Sequence, residues 1–252
     1  MSTTPVVAAQ APEVPEPINH FGRLIGVLFS PGKTFAEIVA RPSWILPAVV
    51  MLVMSVVASA VLVQRVDWRD VISQQIEKNP NSAQMSADQK AQQIEMGAKY
   101  APVFGYVGGI VGPIVIILVM CLVMWGTYSL LGGISTGFVT SLAITAHSMM
   151  TSLVSTPLFL LILFLKPKGT IDINNPMATN IGAFLPDESA KWLVTFCKQF
   201  DVFTIWTLIL LAIGFAAINP RKMGTGKAIG IGIAVWLVYV AIRTCVAWIL
   251  PG

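Results

Sequence analysis

Between Trp44 and Val63 the chain runs without a charged residue, then breaks into Arg65, Asp67, Arg69 and Asp70. A helix needs about 20 apolar residues to cross the hydrocarbon of a bilayer, so this stretch predicts a first membrane span. Long apolar runs and polar breaks continue to alternate down the chain. Phe104 to Leu131 predicts a second span, long enough to require tilt or protrusion. Residues 139–165 predict a third span, 201–218 a fourth and 228–250 a fifth. Gly133-Ile134-Ser135-Thr136-Gly137 joins the second to the third, and Lys166-Pro167-Lys168-Gly169 stops the third. Asn219-Pro220-Arg221-Lys222 makes a tight basic turn between the last two.

The segments between and before the spans carry their own signals. Residues 1–17 are rich in Ala, Pro, Val and Thr and lack the basic-then-apolar order of a secretory signal, so they read as a disordered tail. Over 18–43, Phe21, Leu24, Ile25, Leu28 and Phe29 recur at helical spacing, with Arg23 off that face. Ser30-Pro31 then opens a second short helix that carries Phe35, Ile38 and Val39 and stops at Pro42. Both pieces are too short to span. They are expected to lie along the membrane interface as amphipathic helices, with Lys33 and Arg41 near anionic headgroups. Packing against the protein itself is an equally good account of them. In the connection after the first span, Ser86-Ala87-Asp88-Gln89 is a capping-box pattern that starts a helix leading into the second. The connection over 170–199 holds the turn-rich Asn174-Asn175-Pro176, and a helix is expected over about 187–200.

Composition removes whole classes of alternative. Of the 252 residues, 55% are hydrophobic and 11% are charged, against roughly 25% charged in a soluble domain. A mean hydropathy of +0.76 agrees. The expected fold class is therefore all-α: a polytopic membrane helical bundle of five transmembrane helices over 44–252, preceded by interfacial amphipathic helices. The net charge of +4 contains no dense basic run, so nucleic acid is not an expected partner. With only His20 and His147, a multi-histidine metal site is excluded, and neither cofactor nor metal is expected. Cys121, Cys197 and Cys245 give no disulfide or metal spacing. Five spans place the termini on opposite sides. Raw Lys and Arg counts favour the N-terminus outside, whereas the dense trio Arg221, Lys222 and Lys227 favours it inside, and the inside orientation is preferred here.

Candidate chemistry is sparse. Gly133-Ile134-Ser135-Thr136-Gly137 matches a nucleophile elbow in letters, but the elbow needs a preceding strand and a nearby histidine. The Gly-Lys pairs at 32–33 and 226–227 lack the first glycine of a phosphate loop. Gly105 with Gly109, Gly108 with Gly112, and Gly226 with Gly230 form small-xxx-small patterns that suit close helix packing, within the chain or across a homo-oligomer. Arg243 lies well within the last span and Asp201 opens the antiparallel one before it. A charge in hydrocarbon costs about 3 kcal/mol or more, so an Asp201–Arg243 pair is expected. His147, with Thr145, Ser148, Thr151 and Ser152 nearby, reads as an interhelical hydrogen-bond cluster or a proton site.

The order of these features resembles the Yip1-domain family, in particular its shorter bacterial members. The resemblance is carried by Leu28-Phe29-Ser30-Pro31 with Phe35, Ile38 and Pro42, by Leu131-Gly132-Gly133, and by Pro157. It is also carried by Phe200-Asp201-Val202-Phe203-Thr204-Ile205-Trp206, running through Leu211 and Gly214 to Arg221-Lys222. It implies a five-span helical protein of the bacterial cytoplasmic membrane, with a cytoplasmic N-terminus and no enzymatic activity. Eukaryotic relatives act in membrane trafficking and bind small GTPases through an Asp-Leu-Tyr-Gly-Pro motif before the first span. This chain has no such stretch, so GTPase binding is not carried over. Two functions remain: an organiser of membrane proteins or lipids, and a small-solute or ion transporter using Asp201, His147 and Arg243.

Overall fold

The computed structural model describes residues 17–249 except 78, 169, 174 and 187. Residues 1–16 of the tail expected over 1–17, and residues 250–252, lie outside the described residues. Among the described residues the regular structure is all helix, and the extended contact is a single antiparallel bridge between Asn180 and Asp201. Ten α-helices follow in order: α1 (His20–Phe29), α2 (Pro31–Ala40), α3 (Ile45–Arg65), α4 (Trp68–Glu77), α5 (Ala87–Leu130), α6 (Phe138–Ser148), α7 (Ser152–Leu165), α8 (Lys191–Lys198), α9 (Val202–Ala216) and α10 (Thr225–Ile249).

Four helical segments are long and apolar enough to cross a membrane: α3, α5, the continuous α6–α7 segment over 138–165, and α10. The fourth predicted span is the exception. It shrinks to the 15 residues of α9, about 22 Å of helix against roughly 30 Å of hydrocarbon. Its ends explain the shortening. Asp201 is the N-cap, accepting from the backbone N–H groups of Phe203 and Thr204, so helical geometry begins only at Val202. At the other end the helix closes at Ala217, just before Asn219-Pro220.

Helix α5 runs 44 residues without interruption, and its start is capped reciprocally. Ser86 Oγ accepts from Gln89 N–H at 3.2 Å and Gln89 Oε1 accepts from Ser86 N–H at 2.9 Å. Its polar first turns, paired with α4, therefore continue directly into the apolar span. Arg65 closes α3 and also caps α7, donating to the free carbonyls of Leu163, Phe164 and Lys166 at 3.1, 3.2 and 2.8 Å. Between α6 and α7 a 3-10 turn, Met149–Thr151, interrupts the third predicted span.

The core lies toward one end of the bundle. There Val27, Phe35, Ile38, Ile144, Met150, Leu210, Leu211 and Phe215 are buried together. Tyr128 of α5 stacks on Phe215 of α9 with ring centres 4.4 Å apart, and its hydroxyl donates to Ala228 O of α10 at 2.9 Å. Gly214 makes this packing feasible, because a Cβ there would meet Ile144 and would come within 3.0 Å of the Phe35 ring. Along the rest of the bundle, Phe104, Val107, Ile110, Ile114, Leu237, Val238 and Ile242 face outward. Apolar exposure on that scale does not occur on water-soluble monomers and marks a surface made for lipid.

Candidate functional site

Helices α1 and α2 form a hairpin seated against α6, α9 and the Met149–Thr151 turn. The periodicity placed Arg23 off the buried face of α1, and the structure reverses this: Arg23 is 4% exposed and Glu37 of α2 is 0% exposed. The guanidinium donates from Nη2 to Glu37 Oε1 at 2.6 Å, and its Nε stands 2.6 Å from Oε2. Nη1 donates to Arg41 O at 3.0 Å and to Ser43 Oγ at 2.7 Å. Arg41 adds a second, half-exposed contact to Glu37 Oε1 at 3.3 Å. A buried charge is tolerable only when paired and hydrogen-bonded, and this network meets both conditions. Phe21, Ile25 and Phe29 are then turned outward as an exposed stripe on α1.

Sequence reasoning missed this pair. A signal was present, since Glu37 is the sole carboxylate between Ile18 and Ser43 and sits among the apolar positions Phe35, Ile38 and Val39. An acid there needs a cation, and Arg23 occupies the equivalent place in the preceding helix.

His147 is buried on α6 with Nδ1 2.8 Å from Ala143 O. The hydroxyls around it bond backward along the same helix, Thr145 to Ser141 O and Ser148 to Ile144 O. Two of them also reach across, Thr151 to Thr207 of α9 at 2.8 Å and Thr145 to Cys121 of α5. Ser135 of the elbow-like pentapeptide is exposed on the loop between α5 and α6, far from any strand–turn–helix geometry. Gly133 in that loop has φ +68°, a left-handed conformation suited to glycine.

The expected Asp201–Arg243 pair is not formed among the described residues. Both Asp201 oxygens are committed at the start of α9: Oδ1 accepts from Phe203 and Thr204 N–H, and Oδ2 accepts from Thr179 Oγ1. Arg243 is exposed and opens instead into a polar cleft of about 1080 Å³ at the end of the bundle opposite the core. The cleft lies among α4, the 170–186 connection, α8 and α10, and Asp70, Asp172, Lys191 and Lys198 share its walls.

The glycine patterns divide by face. Gly105 and Gly109 meet α3, where added Cβ atoms would come within 2.7 Å of Val63 Cγ2 and 2.6 Å of Ser59 Cβ. Gly108, Gly112, Gly226 and Gly230 look into open space. Among the described residues no cluster of three or more His, Cys, Asp or Glu is arranged to hold a metal ion.

The family model for the Yip1 domain matches residues 25–244, nearly the whole chain. The chain belongs to the Yip1 family. Neither a curated protein nor a solved structure matches it. The Yip1 match begins inside α1 and ends inside α10, so it takes in the α2 side of the hairpin and every long apolar helix. Together with those helices it makes the chain a multi-pass membrane protein of the Yip1 type. The residues on which the resemblance rests have visible structural work: Phe35 and Ile38 are core, Asp201 caps α9, and Gly214 admits Phe35.

Proposed function

We propose that this Yip1 protein is a non-enzymatic organiser of membrane proteins or lipids. The observation that carries this reading is the α1–α2 hairpin. Its Arg23–Glu37 pair is locked inward while Phe21, Ile25 and Phe29 are held out, at 70%, 58% and 79% exposure. Lys33 and Arg41 are exposed on the neighbouring helix. An apolar stripe beside basic side chains suits an interfacial helix lying at the headgroup level. On this reading α9 is a fifth crossing, shortened and sheltered by its neighbours. It is supported by the path of α9 from the cleft end, where Asp201 meets Thr179, to the core end, where Phe215 meets Tyr128. The N-terminus is then cytoplasmic and the protein resides in the bacterial cytoplasmic membrane, with lipid and other membrane proteins or a second copy as partners.

The test replaces Phe21, Ile25 and Phe29 together with Ser and purifies both forms from native membranes under mild detergent. A reproducible set of co-purifying membrane proteins or lipids that disappears in the variant supports the organiser. Identical co-purification from both forms overturns it. The transporter reading draws on two observations, the 3-10 interruption at Met149–Thr151 and the polar cleft. Broken helices at membrane depth are a hallmark of transport sites. Against it, Ser148 and Thr151 at the break are buried and bonded within the bundle. Solute flux through reconstituted vesicles would decide for transport.

A further inference from the structure

The cleft at the far end of the bundle has an unusual set of walls. Its lining comes from α4, the 170–186 connection and α8, while α10, an apolar helix, contributes Arg243 alone. Arg243 emerges from α10 six residues before its end at Ile249, about 9 Å along the axis. Its neighbours Ile242, Val246 and Trp248 are exposed. Arg243 therefore leaves a lipid-facing surface just inside the level marked by Trp248, where interfacial tryptophans sit.

The charges in the cleft are not equivalent. Asp172, Lys191 and Lys198 each have partners within the chain. Asp70, on the first turn of α4, and Arg243 have side chains with no hydrogen-bond or ion-pair partner among the described residues. One uncommitted carboxylate and one uncommitted guanidinium thus line the same cavity without meeting each other. A guanidinium is suited to bidentate contact with phosphate, and a carboxylate to a primary ammonium. A ligand that satisfies both carries a phosphate and an ammonium. The exposed apolar surface of α10 beside Arg243 adds a demand that a soluble ligand does not meet, a pair of hydrocarbon chains to cover Ile242 and Val246.

We propose that this cleft seats the headgroup of a zwitterionic phospholipid with a primary amine, its phosphate on Arg243, its ammonium toward Asp70 and its acyl chains along α10. The site does not rest on the organiser reading, since it uses nothing of the hairpin, and of the two observations behind the transporter reading it shares the cleft but not the 3-10 break. Native mass spectrometry of the full-length protein, delipidated and then titrated with defined lipids in detergent, reads it directly. Phosphatidylethanolamine is expected to be retained more tightly than phosphatidylglycerol or phosphatidylcholine. Arg243→Gln and Asp70→Asn are each expected to weaken that retention about tenfold, the worth of one charge-assisted contact. Arg221→Gln, in the basic turn after α9, leaves it unchanged. Because Arg243 and Asp70 are exposed and unpaired, both variants are expected to keep the parent melting temperature, which separates loss of binding from loss of fold. Equal retention of all three lipids, or parent-like retention by both variants, overturns the proposal. Displacement of the lipid by millimolar soluble phosphoethanolamine assigns the site to a free headgroup and overturns the lipid.

Discussion

At the core end, Phe35, Ile38, Ile144, Leu210, Leu211 and Phe215 close around one another, and the two charges admitted among them satisfy each other. At the cleft end, α4, α8 and the last turns of α10 leave a cavity of about 1080 Å³ between them, and a carboxylate and a guanidinium stand apart in it. The same chain thus treats charge in two ways. Where burial is complete, Arg23 and Glu37 are fixed to each other and to backbone and hydroxyl acceptors. Where water enters, Asp70 and Arg243 stay separate. The difference teaches that polar residues in this fold serve rigidity at one end and accessibility at the other.

If that contrast holds, the largest effect belongs to Glu37→Ala. Removing one partner of a buried pair leaves Arg23 uncompensated, and a loss of about 3–5 kcal/mol is expected, read as the unfolding midpoint of purified protein in detergent. The paired replacement Arg23→Met with Glu37→Met should lose much less, because no charge is stranded. A double replacement as damaging as Glu37→Ala would mean that shape rather than charge governs the hairpin. Gly214→Val comes next. Its side chain must enter space held by Ile144 and Phe35, so overpacking of about 1–3 kcal/mol is expected in the same melt. Asp201→Ala removes the cap of α9 and should lower stability by about 1–2 kcal/mol. Combining it with Arg243→Gln in a double-mutant cycle should give coupling near zero, because the two residues are not paired. Gly112→Ala, on the open face of α5, should change the melt by less than about 0.5 kcal/mol. A large loss there would place a second copy of the chain on that face.

Local features were legible in the sequence, and tertiary ones were legible only in outline. The Ser86–Gln89 capping box could be read because its partners are three residues apart. The long apolar runs could be read because hydrocarbon thickness sets a length that composition alone reveals. The run over 201–218 outlasts the helix it forms, since the pattern registers apolarity but not the capping role that Asp201 takes up through the N–H groups of Phe203 and Thr204. Arg243 and Asp201 were rightly placed near one end of neighbouring helices, yet nearness did not make a pair: the carboxylate had closer donors in its own helix and across the Asn180 bridge. The glycine patterns gave spacing without face, so Gly105 and Gly109 could not be told from Gly108 and Gly112 before α3 was in position. The cleft was invisible, because it is assembled from segments as far apart as α4 and α10.

The docking of the α1–α2 hairpin also has a consequence in time. Its cover comes from α6 and α9, and the ribosome must add well over a hundred residues after Ala40 before Ala216 emerges, a wait on the order of 10–30 s at 5–20 residues per second. Until α6 and then α9 are made, Val27, Phe35 and Ile38 lack the neighbours that bury them in the finished bundle. The Arg23–Glu37 contact, by contrast, lies entirely within the hairpin and is available as soon as Ser43 has left the exit tunnel. The first element to be made therefore carries its own internal contact before the elements that bury it exist.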